Sequence, residues 1–508
     1  HVSEFAATRR RRRRQASDDD DDDAGRTADR GEHKTREARA SGGSDSSGGG
    51  GTARDGGMAS STAAARRAAA VAAAAEQGLF GAGVMNAAAS AEDKPMAIFF
   101  DADAWEENLG RARAAFGEHF VHACAVKTNP LSYFLRHAKE LGHGAECASL
   151  GEVLHALSCG FEPRNVVYDS PCKTFAEIRM ALQEGVHLNI DNLQELERVS
   201  AIVGSDDFEL SEGAPIGIRV NPLVGAGTIA AFSVSTGKSK FGVPLPKEGT
   251  ERNIVLDAVV ACPWINCVHV HTGSGGMGLD QLVSGIRTAV DFALEVNSAA
   301  GETRITTIDM GGGLAVDFRA ESPFSPFEEY AAALREAVPE VFDPSVFSRV
   351  VTEFGAALQC KFAFLASRVE YTKEYDGGRI ALIHAGSDIF MRACYCPETF
   401  VHHRVFTFDA SGQPKEVDEE QRVPHDIAGP LCFAGDVVVR DALIAPLEVD
   451  DIVVLADTGG NSLSIRTSHC SRQGPAVFAF RLAEDDSVSF ETVRKTESLE
   501  APLAQWAS

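Results

Sequence analysis

The feature that most restricts the fold of this chain is a series of eight short apolar runs, at 121–126, 144–148, 166–168, 187–190, 216–220, 267–270, 305–310 and 349–352. Between most of them lie 10 to 20 residues that include stretches of helical periodicity, such as 151–157 and 193–203. Strands that alternate with helices in this way close most economically into a parallel (β/α)8 barrel, a TIM-like fold. In such a barrel the chemistry sits at the carboxyl ends of the strands. At those ends the sequence places Lys127-Thr128-Asn129, Glu146-Cys147-Ala148-Ser149, Arg219-Val220-Asn221-Pro222, His271-Thr272-Gly273-Ser274, Gly311-Gly312-Gly313 and Glu353-Phe354-Gly355. Polar and glycine residues therefore ring the face where an active site belongs.

Three of these strand ends complement one another. Loops late in the barrel commonly cradle phosphate, because glycine lets backbone N–H groups approach an anion closely, and Gly311, Gly312 and Gly313 follow the seventh run. A glycine triplet also serves as a simple turn, but its place beside His271-Thr272-Gly273-Ser274 favours the cradle. Lys127 ends an apolar strand, where a lysine either snorkels to the surface or, partly buried, loses its proton and becomes an imine-forming amine. Glu353 supplies an acid at the eighth strand end. An amine, a phosphate cradle and a carboxylate together meet the needs of pyridoxal phosphate: an anchor for the aldehyde, a grip on the phosphate, and a partner for the ring nitrogen.

At these residues the chain resembles the fold-type III pyridoxal phosphate-dependent decarboxylases, the group of diaminopimelate, ornithine and arginine decarboxylases, over about 95–481. The matching motifs run in order: Ala125-Val126-Lys127, Ser149-Leu150-Gly151-Glu152, Ser239-Lys240-Phe241-Gly242, His271-Thr272-Gly273-Ser274, Asp309-Met310-Gly311-Gly312-Gly313, and Gly429-Pro430-Leu431-Cys432 followed by Asp436. The resemblance implies pyridoxal 5'-phosphate as cofactor, with Lys127 on its aldehyde, His271 stacked on its ring and Glu353 on its ring nitrogen. Ser274 and Gly311 to Gly313 would hold the phosphate, with Glu146 and Arg219 also at the cofactor. It further implies a homodimer in which Cys432 reaches the partner's site and helps return a proton after CO2 leaves, with Lys240 and Asp436 in a salt bridge across the interface. Within the family the best match is to diaminopimelate decarboxylases of lysine biosynthesis, through His384-Ala385-Gly386-Ser387-Asp388 and Arg392. Arg392 and Tyr395 would contact the substrate, with Phe433 beside it.

The chain departs from the family pattern in places that bear on substrate. Ala356 replaces an Arg after Glu353-Phe354-Gly355, Asn461 replaces a phosphate-contacting Tyr, and Phe433 replaces an acid that binds a distal amine in some relatives. Ornithine, lysine and arginine are therefore poor substrates on this reading, and a carboxylate-bearing amino acid, diaminopimelate or a different one, is favoured. Two other readings are a racemase or lyase on the same barrel, against which Cys432 argues, and an inactive dimerising regulator, against which the intact Lys127, His271, Glu353 and Cys432 argue.

After the barrel, 380–389, 401–408, 437–439, 451–455 and 476–480 read as short strands of a β-rich barrel or sandwich domain, joined by a strand at 96–100 from before the barrel. Upstream, 1–57 carries twelve basic and twelve acidic side chains, which cancel, so the whole formal charge of −25 falls on the remainder. That acidic surface disfavours nucleic acid, and no apolar run reaches the roughly 18 residues of a membrane span. Residues 1–57, with their Arg, Asp and Gly/Ser runs, lack the apolar side chains needed to offset ordering entropy and should be disordered. From Met58 the chain is Ala-rich and free of acids until Glu76. This is either a plastid or mitochondrial transit peptide or a low-complexity leader of a cytoplasmic protein. The divisions expected are thus 1–57 tail, 58–93 Ala-rich segment, 94–119 lead-in strand and helix, 120–356 barrel and 357–500 β domain. Eleven cysteines without a Cys-x-x-Cys pair indicate a reducing compartment, and Cys394-x-Cys396 reads as two ordinary thiols, not a metal site.

Overall fold

The computed structural model describes residues 62–80, 94–211, 213–399 and 403–507. The tail expected at 1–57 lies outside these residues. Eight parallel strands, Phe120–Ala125, Gly144–Cys147, Val166–Asp169, His187–Ile190, Ile216–Asn221, Cys267–Val270, Thr307–Asp309 and Arg349–Thr352, each pair with the next. The last returns to the first, with Val350 opposite Phe120, so the barrel is closed. Each of the eight apolar runs matches one of these strands to within one or two residues at either end, because each carries side chains that bury on both faces.

The intervening helices begin where polar side chains can satisfy otherwise unpaired N–H groups. Thr174 and Asn192 accept from the amides of Glu177 and Glu195 and so start Phe175–Glu184 and Leu193–Val203. The Ser149-x-x-Glu152 motif is a structural device of the same kind. Ser149 Oγ accepts from the Glu152 amide at 3.2 Å, and Glu152 Oε2 accepts from the Ala148 amide at 2.7 Å, opening helix Leu150–Ser158.

The second layer is a nine-stranded sheet. Strand Met96–Asp101, which precedes the barrel, lies in the middle of it, antiparallel to Ala363–Tyr375 and parallel to Ala476–Leu482. The chain then runs through helix Ala102–Phe116 into the first barrel strand, so β domain and barrel are tied at both ends of the barrel sequence. Strands expected near 380, 405, 437, 452 and 476 are present, but 384–389 turns away after Gly378–Ile383 instead of continuing the strand. Three strands of this sheet were not expected: Ala363–Tyr375, Val423–Ala428 and Val488–Arg494.

The Ala-rich segment contains a capped helix, Ala63–Glu76, that buries Ala70, Val71 and Ala74. These pack with Phe80, just past the helix, and with Phe99, Phe364 and Phe478 of the β domain.

Candidate active site

A cavity of about 430 Å³ opens at the carboxyl ends of the barrel strands and is closed on its far side by the β domain. Lys127, His271, Ser274, Gly313, Glu353 and Arg392 all line it. The strand ends thus bring together, from separate parts of the chain, most of the cofactor residues read from sequence.

Lys127 follows the first barrel strand, and its amine donates to Glu146 Oε2 at the end of the second. Burial opposes its charge, but the carboxylates of Glu146 and Glu353 outweigh that and raise its pKa. The amine is therefore held charged before any ligand arrives, contrary to the expectation that barrel walls alone would strip its proton. Glu146 is itself fully buried, and burial raises its carboxyl pKa despite the opposing Lys127 ammonium. A proton passed from Nζ to Glu146 would free the amine for attack on a carbonyl.

Glu353 directly follows the eighth strand. Its Oε2 lies 3.7 Å from His269 Nε2 and 3.9 Å from His271 Nδ1, while Oε1 is buried without a hydrogen-bond partner. Burial, then Asp309, Glu146 and Asp169, push its pKa well above the ordinary carboxylate range. An unpartnered carboxyl oxygen on a residue that lines the cavity is suited to an incoming N–H such as that of a pyridinium ring.

His271 is fixed by two hydrogen bonds. Its Nδ1 accepts from the Gly312 amide at 3.0 Å, which leaves Nε2 to carry the proton toward Ser274 Oγ at 2.9 Å. Burial, reinforced by Arg219 and Lys127, drives its pKa well below the usual value, so the imidazole is a neutral flat face. Gly311 and Gly313 take positive φ values of +66° and +101°, and a side chain on Gly313 would run into the Gly273 carbonyl. The cradle is consequently a bare-backbone surface where a phosphate can come close. These residues fit pyridoxal phosphate: amine, flat ring face, orphaned carboxyl and glycine cradle converge on one cavity.

Arg219 stands one layer below. It donates to Asp169 Oδ2 at 2.8 Å and sits over the Phe241 ring, and it does not line the cavity. Arg219 and His269 hold Asp169 well below the normal range even though burial works the other way. Asp169, Asn189 and His269, which the sequence reading did not single out, form a buried polar layer with Asp309, Glu146 and Glu353. The signal was present, since each is a polar residue inside an otherwise apolar strand. Asp169, His269 and Glu353 approach one another closely enough to hold a cation, but Glu353 is the carboxyl suited to a ring nitrogen, and His269 and Asp169 stand in line behind it.

The remaining candidates lie elsewhere. Tyr395, Cys432 and Phe433 are on the outer surface, and none lines the cavity. Lys240 is exposed over the Phe241 ring. Asp436, expected in a salt bridge across a dimer interface, is buried in its own chain, where it accepts from the amides of Ser387 and Leu431. Its two oxygens organise the turn that presents Cys432, a role that a buried carboxylate can fill but an exposed ion-pair partner would not need. Of the family departures, Ala356 and Asn461 both line the cavity.

A family model described as "Pyridoxal-dependent decarboxylase, pyridoxal binding domain" matches residues 103–359. The diaminopimelate decarboxylase of Archaeoglobus fulgidus is 27% identical over 369 residues, covering 72% of this chain and 83% of that protein. That of Methanothermobacter thermautotrophicus is 28% identical over 390 residues, covering 75% and 86%. In structure the chain is similar to the Helicobacter pylori diaminopimelate decarboxylase solved with L-lysine, with a TM-score of 0.68 at 23% identity over 82% of this chain and 97% of that one, a likeness of fold. With the family model spanning the barrel that holds Lys127, His271 and Glu353, this chain belongs to the pyridoxal-dependent decarboxylases.

Proposed function

We propose that the protein is a diaminopimelate decarboxylase, removing one carboxyl group of meso-diaminopimelate as CO2 and replacing it with a proton. Bound pyridoxal phosphate supplies the electron sink for the carbanion left when CO2 departs. The residues of the chain do the rest: Lys127 anchors, Glu353 keeps a proton at the ring nitrogen, neutral His271 covers the ring, and the glycine cradle receives the phosphate.

The observation that carries the substrate reading is Arg392. It lines the cavity with its guanidinium 5.3 Å from the Phe232 ring, among apolar neighbours such as Ile389 and Ala393. A half-buried guanidinium there suits a distal carboxylate and opposes the distal ammonium of ornithine or lysine. The curated relatives named diaminopimelate decarboxylase support the same reading.

The active unit we propose is a homodimer in which the exposed Cys432, on its buried-Asp436 turn, faces the partner's cavity and delivers the replacing proton. A CO2-release screen of the full chain loaded with pyridoxal phosphate tests the function. Release from meso-diaminopimelate well above that from lysine, ornithine and arginine is expected. Equal release from the diamines, or none from diaminopimelate, would overturn the substrate assignment.

A further inference from the structure

The Ala63–Glu76 helix is connected to the cofactor cavity by an unbroken line of charged contacts. Its Arg66 grips Asp101 through two hydrogen bonds of 2.6 Å and reaches Asp103 at 3.0 Å. This clamps the helix to the end of the central β-domain strand. Arg67, one residue on, turns the other way. It is 7% exposed, its guanidinium lies 3.5 Å from the centre of the Phe406 ring, and Nη2 pairs with Glu321 Oε1 at 3.2 Å.

Glu321 belongs to a segment without regular secondary structure that follows the glycine cradle. The earlier part of that segment, Leu314, Ala315, Val316 and Phe318, is a wall of the cavity. The other Glu321 oxygen takes Arg404, whose Nη2 holds Asp457 Oδ1 at 3.0 Å. Asp457 lines the cavity and is almost fully buried. Lys361 completes the chain: it lies 3.4 Å from Asp457 and donates to the carbonyls of Asp317 at 2.9 Å and Ala320 at 2.7 Å in the same wall segment.

The wall is a long irregular stretch with few main-chain bonds of its own, so its position depends on such side-chain anchors. An exposed ion pair contributes little, but Arg67 and Asp457 are buried, and losing one member of a buried network leaves its partners uncompensated. The Ala-rich character of the helix has a packing reason too. It lets the 409–413 turn approach so closely that a side chain on Gly412 would meet the Ala72 backbone at 2.8 Å. The segment that reads in sequence as a leader therefore has the contacts of a working part.

We propose that Arg67 is a positioning residue for the cofactor cavity, acting through Glu321 and Arg404 on Asp457 and the 314–321 wall, and that the Ala63–Glu76 helix is retained in the functional protein. The proposal does not depend on which amino acid is the substrate.

It is tested on the full chain with Arg67→Met, which keeps an unbranched stem over Phe406 and removes the charge, and with Arg67→Lys as the conservative variant. The readouts are absorbance titration with pyridoxal phosphate, hydrogen exchange of 313–321, and thermal unfolding. Arg67→Met is expected to weaken cofactor affinity about five- to tenfold and to speed exchange in 313–321. Its melting temperature should move by less than about 3 °C, and Arg67→Lys should recover most of the affinity. Unchanged affinity and exchange, or losses that merely follow a large drop in melting temperature, would overturn the proposal. Glu321→Gln removes the same link from its half-exposed end and applies the same criteria should Arg67→Met fail to fold. A native amino terminus falling beyond Glu76 would also overturn it. Because titration and exchange need no substrate, a failed diaminopimelate assay leaves this result standing on its own.

Discussion

The rings of Tyr395 and Phe433 stack 4.7 Å apart at an interplanar angle of 13° on the outer face of the β domain, beside the exposed Cys432. Tyr395 comes from the short helix Met391–Tyr395 whose Arg392 points into the cavity, so one helical turn presents residues to two different places. An aromatic pair of an exposed Tyr395 and a half-buried Phe433 next to a thiol suits a contact with a second subunit. Phe433→Asp is expected to weaken self-association by more than about tenfold, with activity that recovers as protein concentration rises. Sedimentation at several concentrations checks this, and a dimer of unchanged strength would remove the pair from the interface.

Glu353 tests the electrostatic core of the site. Its orphaned Oε1 and raised pKa suit it to share a proton with a ring nitrogen, and a Gln there keeps the shape while losing the acid. Glu353→Gln should lower kcat by about a hundredfold or more while the cofactor absorbance band persists. Unchanged turnover would take Glu353 out of the chemistry.

The barrel was legible because each strand is an apolar run cut off by glycine or polar residues, and because parallel strands bury both faces. The same rule explains what was missed. Val488–Arg494 is an edge strand whose Ser489, Glu491 and Arg494 keep one side polar, and Ala363–Tyr375 turns from apolar to charged halfway as it leaves the core. The Ala63–Glu76 helix has no apolar stripe, so its buried face is fixed by partners far along the chain, Asp101, Glu321 and Phe406, that no local pattern announces. In the site, the residue types at strand ends were readable, but which surface Tyr395 and Cys432 occupy depends on the β-domain fold.

The buried acids predict an unusual pH dependence. Asp309 has its pKa raised to about 7, mainly by burial, despite hydrogen bonds from Asn189 at 2.9 Å and the Gly311 amide at 3.0 Å. The folded state thus binds this proton more tightly than the unfolded one. Its contribution is fully present below the ordinary carboxylate pKa and is lost as pH rises toward 7. From pH 5 to 7 that loss is roughly 2 to 3 kcal/mol at one proton per unit. Asp309→Asn, in which Asn189 can turn its unpaired Oδ1 to the new amide, should flatten the dependence. Urea unfolding of the cofactor-free proteins between pH 5 and 8 checks it, and parallel curves for the two proteins would show that Asp309 is not the group responsible.

Arg392 provides the sharpest test of substrate. Burial lowers its pKa, and a carboxylate ligand would favour the charged form. Arg392→Met keeps the stem and removes the fork of donors. If the guanidinium binds the distal carboxylate equally in ground and transition states, KM for diaminopimelate should rise about ten- to hundredfold with kcat little changed, the cost of a charge-assisted hydrogen bond. Arg392→Lys should recover only part of this, because a single ammonium cannot reproduce a bidentate contact. A fall in kcat at constant KM would instead place Arg392 at the reacting carboxylate, since only an interaction made in the transition state lowers kcat without touching KM. No change in either constant would mean that the distal carboxylate is bound by other groups, and the apolar lining would then have to account for the choice of substrate.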